Sequence, residues 1–450
     1  MKKSPEDLVH EAWATLQHDR ERIDGASSSE NWVDLDAPRM RDSSEPTGAR
    51  GRQVLIRGQP ALAALESQIR FATRAGTDSA QLLAGFRGSG KTTILLQLRQ
   101  ALSREFPVIA VDALGYHDGT GPVTIETLLV TLAVAVGEQG AALQVKGAET
   151  LGAWTSFLGR IRAALEKVDA ELSGEVDLKW LKVNLRGGAT FHDRLAGALA
   201  RQRGDVFHAF EAFFAELIAS FGTARPVLLI DGLEKLHQLV DKTAAAYRRF
   251  ADFFVQYGEV LSIAGAHVVY VVPPQTFVVA PQLRSMFHLV QLSCVRVSPP
   301  PPRAVDAVDG IGCDALVEVL ARRIDVAALF DPDAQRAIAF ASGGHLRNLL
   351  AIAADVLMKG SKNAAGEFEL PIPLHRSEDA IENHGMFTRQ AARANAGILR
   401  AINADGDVTR LDSGQIDDLL VAQDLELVLT YCNGDFWYDV NPLVRATLER

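Results

Sequence analysis

One octapeptide constrains this chain more than any other stretch: Gly85-Phe86-Arg87-Gly88-Ser89-Gly90-Lys91-Thr92. It meets the pattern G-x-x-x-x-G-K-[ST] at every fixed position. Residues 81–84 (QLLA) ahead of it read as a buried strand, and residues 93–102 (TILLQLRQAL) behind it have helical spacing. The loop is therefore expected to open onto a helix N-terminus, whose dipole favours anions. The residue types suit that task. Glycines let backbone N–H groups turn toward a β-phosphate where any Cβ would collide with it. Lys91 supplies a point charge for the β- and γ-phosphates, and the Thr92 hydroxyl, followed by Thr93, a ligand for Mg²⁺. Together they imply a nucleoside triphosphate site, with ATP and Mg²⁺ as the expected cofactors.

Such a loop needs an acid to hold the metal's water shell and place the attacking water. Residues 226–231 (PVLLID) supply it as an apolar strand ending in Asp231, in the manner of a Walker B segment. The next residue is Gly232, where many ATPases carry a glutamate, and the following acid is Glu234. Glu234 is read either as the group that polarises water or as a carboxylate matching a helix dipole.

Apolar runs at 107–112 (PVIAVD), 266–272 (AHVVYVV) and 288–297 (HLVQLSCVRV) complete the set of buried strands. Helical patterns at 60–74, 122–136, 207–221 and 243–256 lie between strands. This alternation predicts an α/β fold with a parallel sheet and helices on both faces. Residues 1–51 read as an N-terminal helix (5–24) and a Ser-, Asp- and Pro-rich linker that Trp32-Val33 could anchor. The core is expected over 52–302, with a mostly helical insertion near 137–204 in which 175–190 could form a hairpin. The proline tract after Val297 closes it. Residues 303–375 read as a helical lid. Residues 376–450 read as three short helices and a β-hairpin around Asn433-Gly434, a winged-helix-like module.

At 450 residues, 48% hydrophobic and 23% charged, the chain can bury a large core. A net charge of -10 argues against nucleic-acid binding by bulk electrostatics. Cys294, Cys313 and Cys432 are too far apart in sequence to suggest a disulfide framework or a zinc site. No run approaches 18 apolar residues, and no apolar signal core precedes residue 25, so no membrane span and a cytoplasmic location are expected.

The phosphate loop, Asp231-Gly232-Leu233-Glu234 and Ser342-Gly343-Gly344-His345-Leu346-Arg347 together resemble an AAA+ ATPase. More narrowly, the chain resembles the branch that holds the origin-recognition initiators and the STAND signalling ATPases. The resemblance spans about residues 52–450 and implies a winged helix after the lid. It gives Arg347 the place of a sensor-2 arginine reaching the γ-phosphate, so that lid position depends on nucleotide state. It places residues 56–59 (IRGQ), Arg57 included, against the adenine. It also puts Arg284 where such ATPases carry an arginine finger for a neighbouring subunit. The chain departs from the pattern after residue 272, where Pro273-Pro274 precede Gln275 and Thr276 and no sensor-1 Asn or Ser follows the strand. Slow hydrolysis is the expectation.

Residues 376–450 carry seven basic residues against thirteen acidic ones, and the helix that would enter a DNA groove contains Asp417-Asp418. Both features disfavour a duplex partner. Two readings follow. The first is a nucleotide-dependent conformational or assembly switch, acting as a homo-oligomer or on a partner protein in a defence or signalling system. The second is a DNA-associated ATPase of the initiator or transposition-regulator type that oligomerises on duplex DNA.

Overall fold

The structure, a computed structural model, describes residues 3–21, 33–37, 39–40, 53–116, 124–142, 147–168, 189–234, 243–303 and 307–448. The chain forms two compact units. One takes residues 62–84 and 95–291, and the other takes residues 1–61, 85–94 and 292–450.

The first unit is built on a five-stranded sheet of β1 (Ser79–Gly85), β2 (Val108–Asp112), β3 (Val227–Asp231), β4 (His267–Val272) and β5 (His288–Leu292). Its order is β2-β3-β4-β1-β5. The β2–β3, β3–β4 and β4–β1 pairings are parallel. All residues of β3 and β4 are buried, as parallel strands covered on both faces require. Helices Ala61–Arg74, Ile125–Ala142, Gly147–Glu166, Ala189–Arg201, Arg203–Ser220 and Ala244–Leu261 supply the crossovers and the insertion. The insertion packs through aromatic residues: Trp154 stacks on Phe157 at 5.4 Å, and both rings meet Phe213. The hairpin expected at 175–190 lies almost entirely outside the described residues.

Buried His267 of this unit is held between two hydroxyls. The Thr73 hydroxyl donates to the Ile69 carbonyl, so its oxygen must accept from His267 Nε2 at 2.9 Å. Ser79 Oγ then donates to His267 Nδ1, also at 2.9 Å. The ring is held neutral, and its burial lowers its pKa below 6.5.

The second unit holds helix Pro5–Glu21, the antiparallel pair Arg39–Met40 with Gln53–Val54, the phosphate loop, and the C-terminal helices. Helix Pro5–Glu21 packs on helix Leu346–Gly360. Val9, Leu16, Ile56, Leu316, Ile352 and Leu357 belong to one buried cluster. Val33 is buried, while Trp32, its companion in the expected anchor, lies outside the described residues.

Two sequence expectations are corrected here. The strand expected over 288–297 stops at Leu292. Beyond it the backbone N–H groups of Cys294, Val295 and Arg296 donate in turn to the carbonyls of Thr430, Gly344 and Ile56. Three successive donors with three separate partners cannot form a ladder. The last segment has four helices rather than three before its hairpin: Leu374–His384, Met386–Ala394, Ala396–Asp405 and Ser413–Asp424. Gly385 and Asn395 break what reads as one pattern, while Asp412 and Gln415 form a capping box that starts the fourth. The hairpin is β6 (Val428–Asn433) with β7 (Asp435–Val440), turning at Gly434 with φ +91°. The fold is thus an α/β sheet of the P-loop type with a mostly helical C-terminal region that ends in a β-hairpin.

Candidate functional site

β1 runs straight into the phosphate loop at Gly85, and helix Lys91–Leu102 leaves it. Gly88 and Gly90 have φ of +87° and +100°, where residues with a Cβ are strained. Lys91 is 4% exposed and its Nζ donates to the carbonyls of Gly85 and Phe86, each at 2.8 Å. The ammonium is thus held inside the loop. Ser89 Oγ is buried and makes no hydrogen bond among the described residues. A curled loop with glycines at the positive-φ positions, an interior ammonium and a buried hydroxyl fits an oxyanion ligand. Thr92 and Thr93 are half-buried on the first helical turn.

The same unit brings four further segments to this loop. Arg57 is buried and its Nη2 donates to the Ser89 carbonyl at 3.0 Å, while Asp36 lies 3.8 Å from Nη1. Burial lowers its pKa and Asp36 works against the shift. The guanidinium therefore braces the loop at Ser89. Arg347 lies across Gly88, where an added Cβ would stand 2.6 Å from Arg347 Cβ and 2.9 Å from its Nε. His345, fully buried, meets the Arg87 carbonyl through Nε2 at 2.8 Å. Phe86 packs with Cys294, Leu429, Tyr431 and Trp437. Gly58 approaches Cys432 so closely that an added Cβ would sit 2.5 Å from Cys432 Cβ.

One strand, β6, thus touches the segment ahead of the loop at Gly58 and the loop at Phe86, and it reaches the lid as well. There the Tyr431 hydroxyl donates to the Gly343 carbonyl at 2.7 Å. Of the aromatic trio at the hairpin, Trp437 is stacked on Tyr431 at 4.6 Å and Tyr438 is half-buried. Only Phe436 stands in solvent, at 49% exposure, so the trio does not offer a stacking platform for bases.

In the sheet unit, Asp231 ends β3 beside Asp112 at the end of β2, the two facing each other in register. The Gly232 N–H donates to Asp231 Oδ1 at 2.7 Å. Gly232 has φ +85°, and a Cβ there would collide with Asp112 Oδ1 and reach the Leu114 nitrogen at 3.0 Å. Glycine suits this position because its backbone is left-handed and a Cβ would crowd both the Asp112 carboxylate and the Leu114 nitrogen. Glu234 is buried on the first helical residues after that turn. At the end of β4, Gln275 and Thr276 are both buried, and Thr276 Oγ1 makes no hydrogen bond among the described residues. Arg284 is exposed on the turn Pro281–Ser285. Among the described residues, no cluster of three His, Cys, Asp or Glu could hold a metal ion, and no helix is long and apolar enough to cross a membrane.

Sequence reading singled out the loop, Arg57 and Arg347, which the structure brings together. It missed Asp36 and His345. His345 sits inside the Gly343-Gly344 motif and could have been marked there. Asp36 carries no local signal.

No family model matches the sequence, and no curated protein is significantly similar to it. Among solved structures, the chain is similar to the Aeropyrum pernix Orc2 protein in its ADPNP–ADP complexes, at 11% identity and a TM-score of 0.38, covering 95% of each chain. It is similar to the Aeropyrum pernix Orc1 protein in complex with DNA at 13% identity and a TM-score of 0.34, covering 86% of this chain and 91% of that one. The Thermotoga maritima RuvB Holliday junction branch migration motor follows at 12% and 0.33, covering 86% and 92%. At such identities and TM-scores nothing about activity, ligand or partner transfers from them.

Proposed function

We propose that this chain binds ATP with Mg²⁺, hydrolyses it slowly, and uses the nucleotide state as a conformational or assembly switch on a partner protein. The observation that carries the reading is the phosphate loop with Lys91 held in its interior and the lid's Arg347 laid across Gly88. Lys91 and the loop N–H groups would take the β- and γ-phosphates, and Thr92 with Asp231 would hold Mg²⁺. Few protein ligands are needed, because Mg²⁺ keeps waters and phosphate oxygens in its shell. The metal neutralises charge that develops on the transferred phosphoryl group. Glu234 would orient the attacking water, and Arg347 would report the γ-phosphate to the lid. Arg284, exposed on its turn, would reach a neighbouring copy if the switch works by assembly.

The test is the solution mass of the purified chain without nucleotide, with ADP, and with a non-hydrolysable ATP analogue, each with and without duplex DNA. A mass or shape change driven by the analogue alone supports the switch. A change that needs DNA contradicts it in favour of a DNA-associated ATPase.

A further inference from the structure

His345 does not belong to the nucleotide chemistry just described, yet it is fully buried against the phosphate loop. It is the N-cap residue of helix Leu346–Gly360, presented by two glycines with φ of +61° and +74°. Its ring is fully buried and stands edge-on to Phe86, with centroids 6.3 Å apart. Its Nε2 lies 2.8 Å from the Arg87 carbonyl oxygen. A carbonyl can only accept, so Nε2 carries the hydrogen.

On the opposite side of the ring, Nδ1 makes no hydrogen bond among the described residues, and Glu426 Oε2 stands 3.6 Å away. That carboxylate is held in turn by Asn348 Nδ2 at 2.9 Å. The Glu426 backbone is left-handed, with φ +55°, a conformation costly for a residue with a side chain. It is fixed there from both ends. Asn441 Nδ2 donates to the Glu426 carbonyl at 2.9 Å, and the Glu426 N–H donates to the Gln423 carbonyl at 3.0 Å.

The consequence lies in the peptide that His345 holds. The unit joining Arg87 to Gly88 is planar and trans, so its C=O and N–H point in opposite directions. Fixing the Arg87 carbonyl toward His345 fixes the Gly88 N–H away from it. Gly88 is the middle glycine of the loop and the residue that Arg347 covers. We propose that His345 is a positioning residue that, through the Arg87 carbonyl, sets the direction of the Gly88 N–H for a phosphate oxygen. This rests on the nucleotide-binding reading above.

Binding of ATP and of inorganic tripolyphosphate to the full chain tests it, with His345→Ala, His345→Gln and His345→Asn beside wild type. Glutamine keeps an amide donor near the reach of Nε2, the shorter asparagine falls short of it, and alanine removes it. Losing one such hydrogen bond should weaken both ligands by roughly 3- to 10-fold in His345→Ala. His345→Gln should recover to within about twofold of wild type, and His345→Asn should stay as weak as His345→Ala. Unfolding midpoints measured without ligand separate positioning from general destabilisation. If His345→Ala does not fold, His345→Asn decides, and wild-type affinity in it overturns the proposal. Wild-type affinity in His345→Ala, or no recovery in His345→Gln, also overturns it while leaving nucleotide binding intact. A wild-type chain that binds neither ligand removes the nucleotide reading itself, and this inference with it.

Discussion

The two units bury different things. The sheet unit is filled with apolar and aromatic side chains, from Trp154 and Phe213 to the six buried residues of β4. Its buried charged residues are the carboxylates Glu126, Asp231 and Glu234 among the described residues, and its buried His267 is neutral and satisfied by two hydroxyls. The unit with the phosphate loop buries Arg57, Lys91, Arg296, Arg303, Asp439 and Arg445. Asp439 there accepts from Arg445 Nη2 at 2.8 Å and pairs with Arg303. Burial raises its pKa while both arginines pull it down. Buried charge is a poor source of stability and tolerates no missing partner. The unit with the phosphate loop is thus held in part by directional contacts between buried charges.

Three perturbations sharpen that contrast, in falling order of effect. Glu234→Gln should lower ATP turnover by roughly a hundredfold or more while nucleotide stays bound, if Glu234 activates water. Unchanged steady-state turnover would assign the carboxylate to the helix instead. Next, Asp439→Asn, nearly isosteric, should cost about 3–5 kcal/mol by stranding two buried arginines. In the apolar unit Leu217→Met should cost under about 1.5 kcal/mol. Denaturant midpoints that move equally in both variants would erase the distinction.

The smallest effect is a pH dependence from His267. Its folded pKa lies below 6.5, so the unfolded chain binds the proton more readily. The stability it contributes is complete above pH 6.5 and declines as pH falls below that value. Denaturation of wild type and His267→Gln between pH 8 and about pH 5 should show this component in wild type only.

The sequence made the sheet legible because its strands are continuous apolar runs. It made the loop legible because glycine, lysine and threonine at fixed spacing have few other uses. Gly232 stood out as a departure, and the Asp112 carboxylate that a Cβ there would crowd emerged only from the register of β2 with β3. His345 and Arg87 are 258 positions apart. No periodicity links such residues. The end of β5 was misjudged for the same reason, since apolar content continues to Val297 while its backbone partners change at every residue.

The most direct measurement is calorimetric titration of ATP with Mg²⁺ into wild type and Lys91→Ala, with far-UV circular dichroism of both. Saturable, Mg²⁺-dependent binding by wild type, absent in a folded Lys91→Ala, is the expected result. Equal binding by both proteins, or none by a folded wild type, would contradict the assignment of this loop as a nucleotide site.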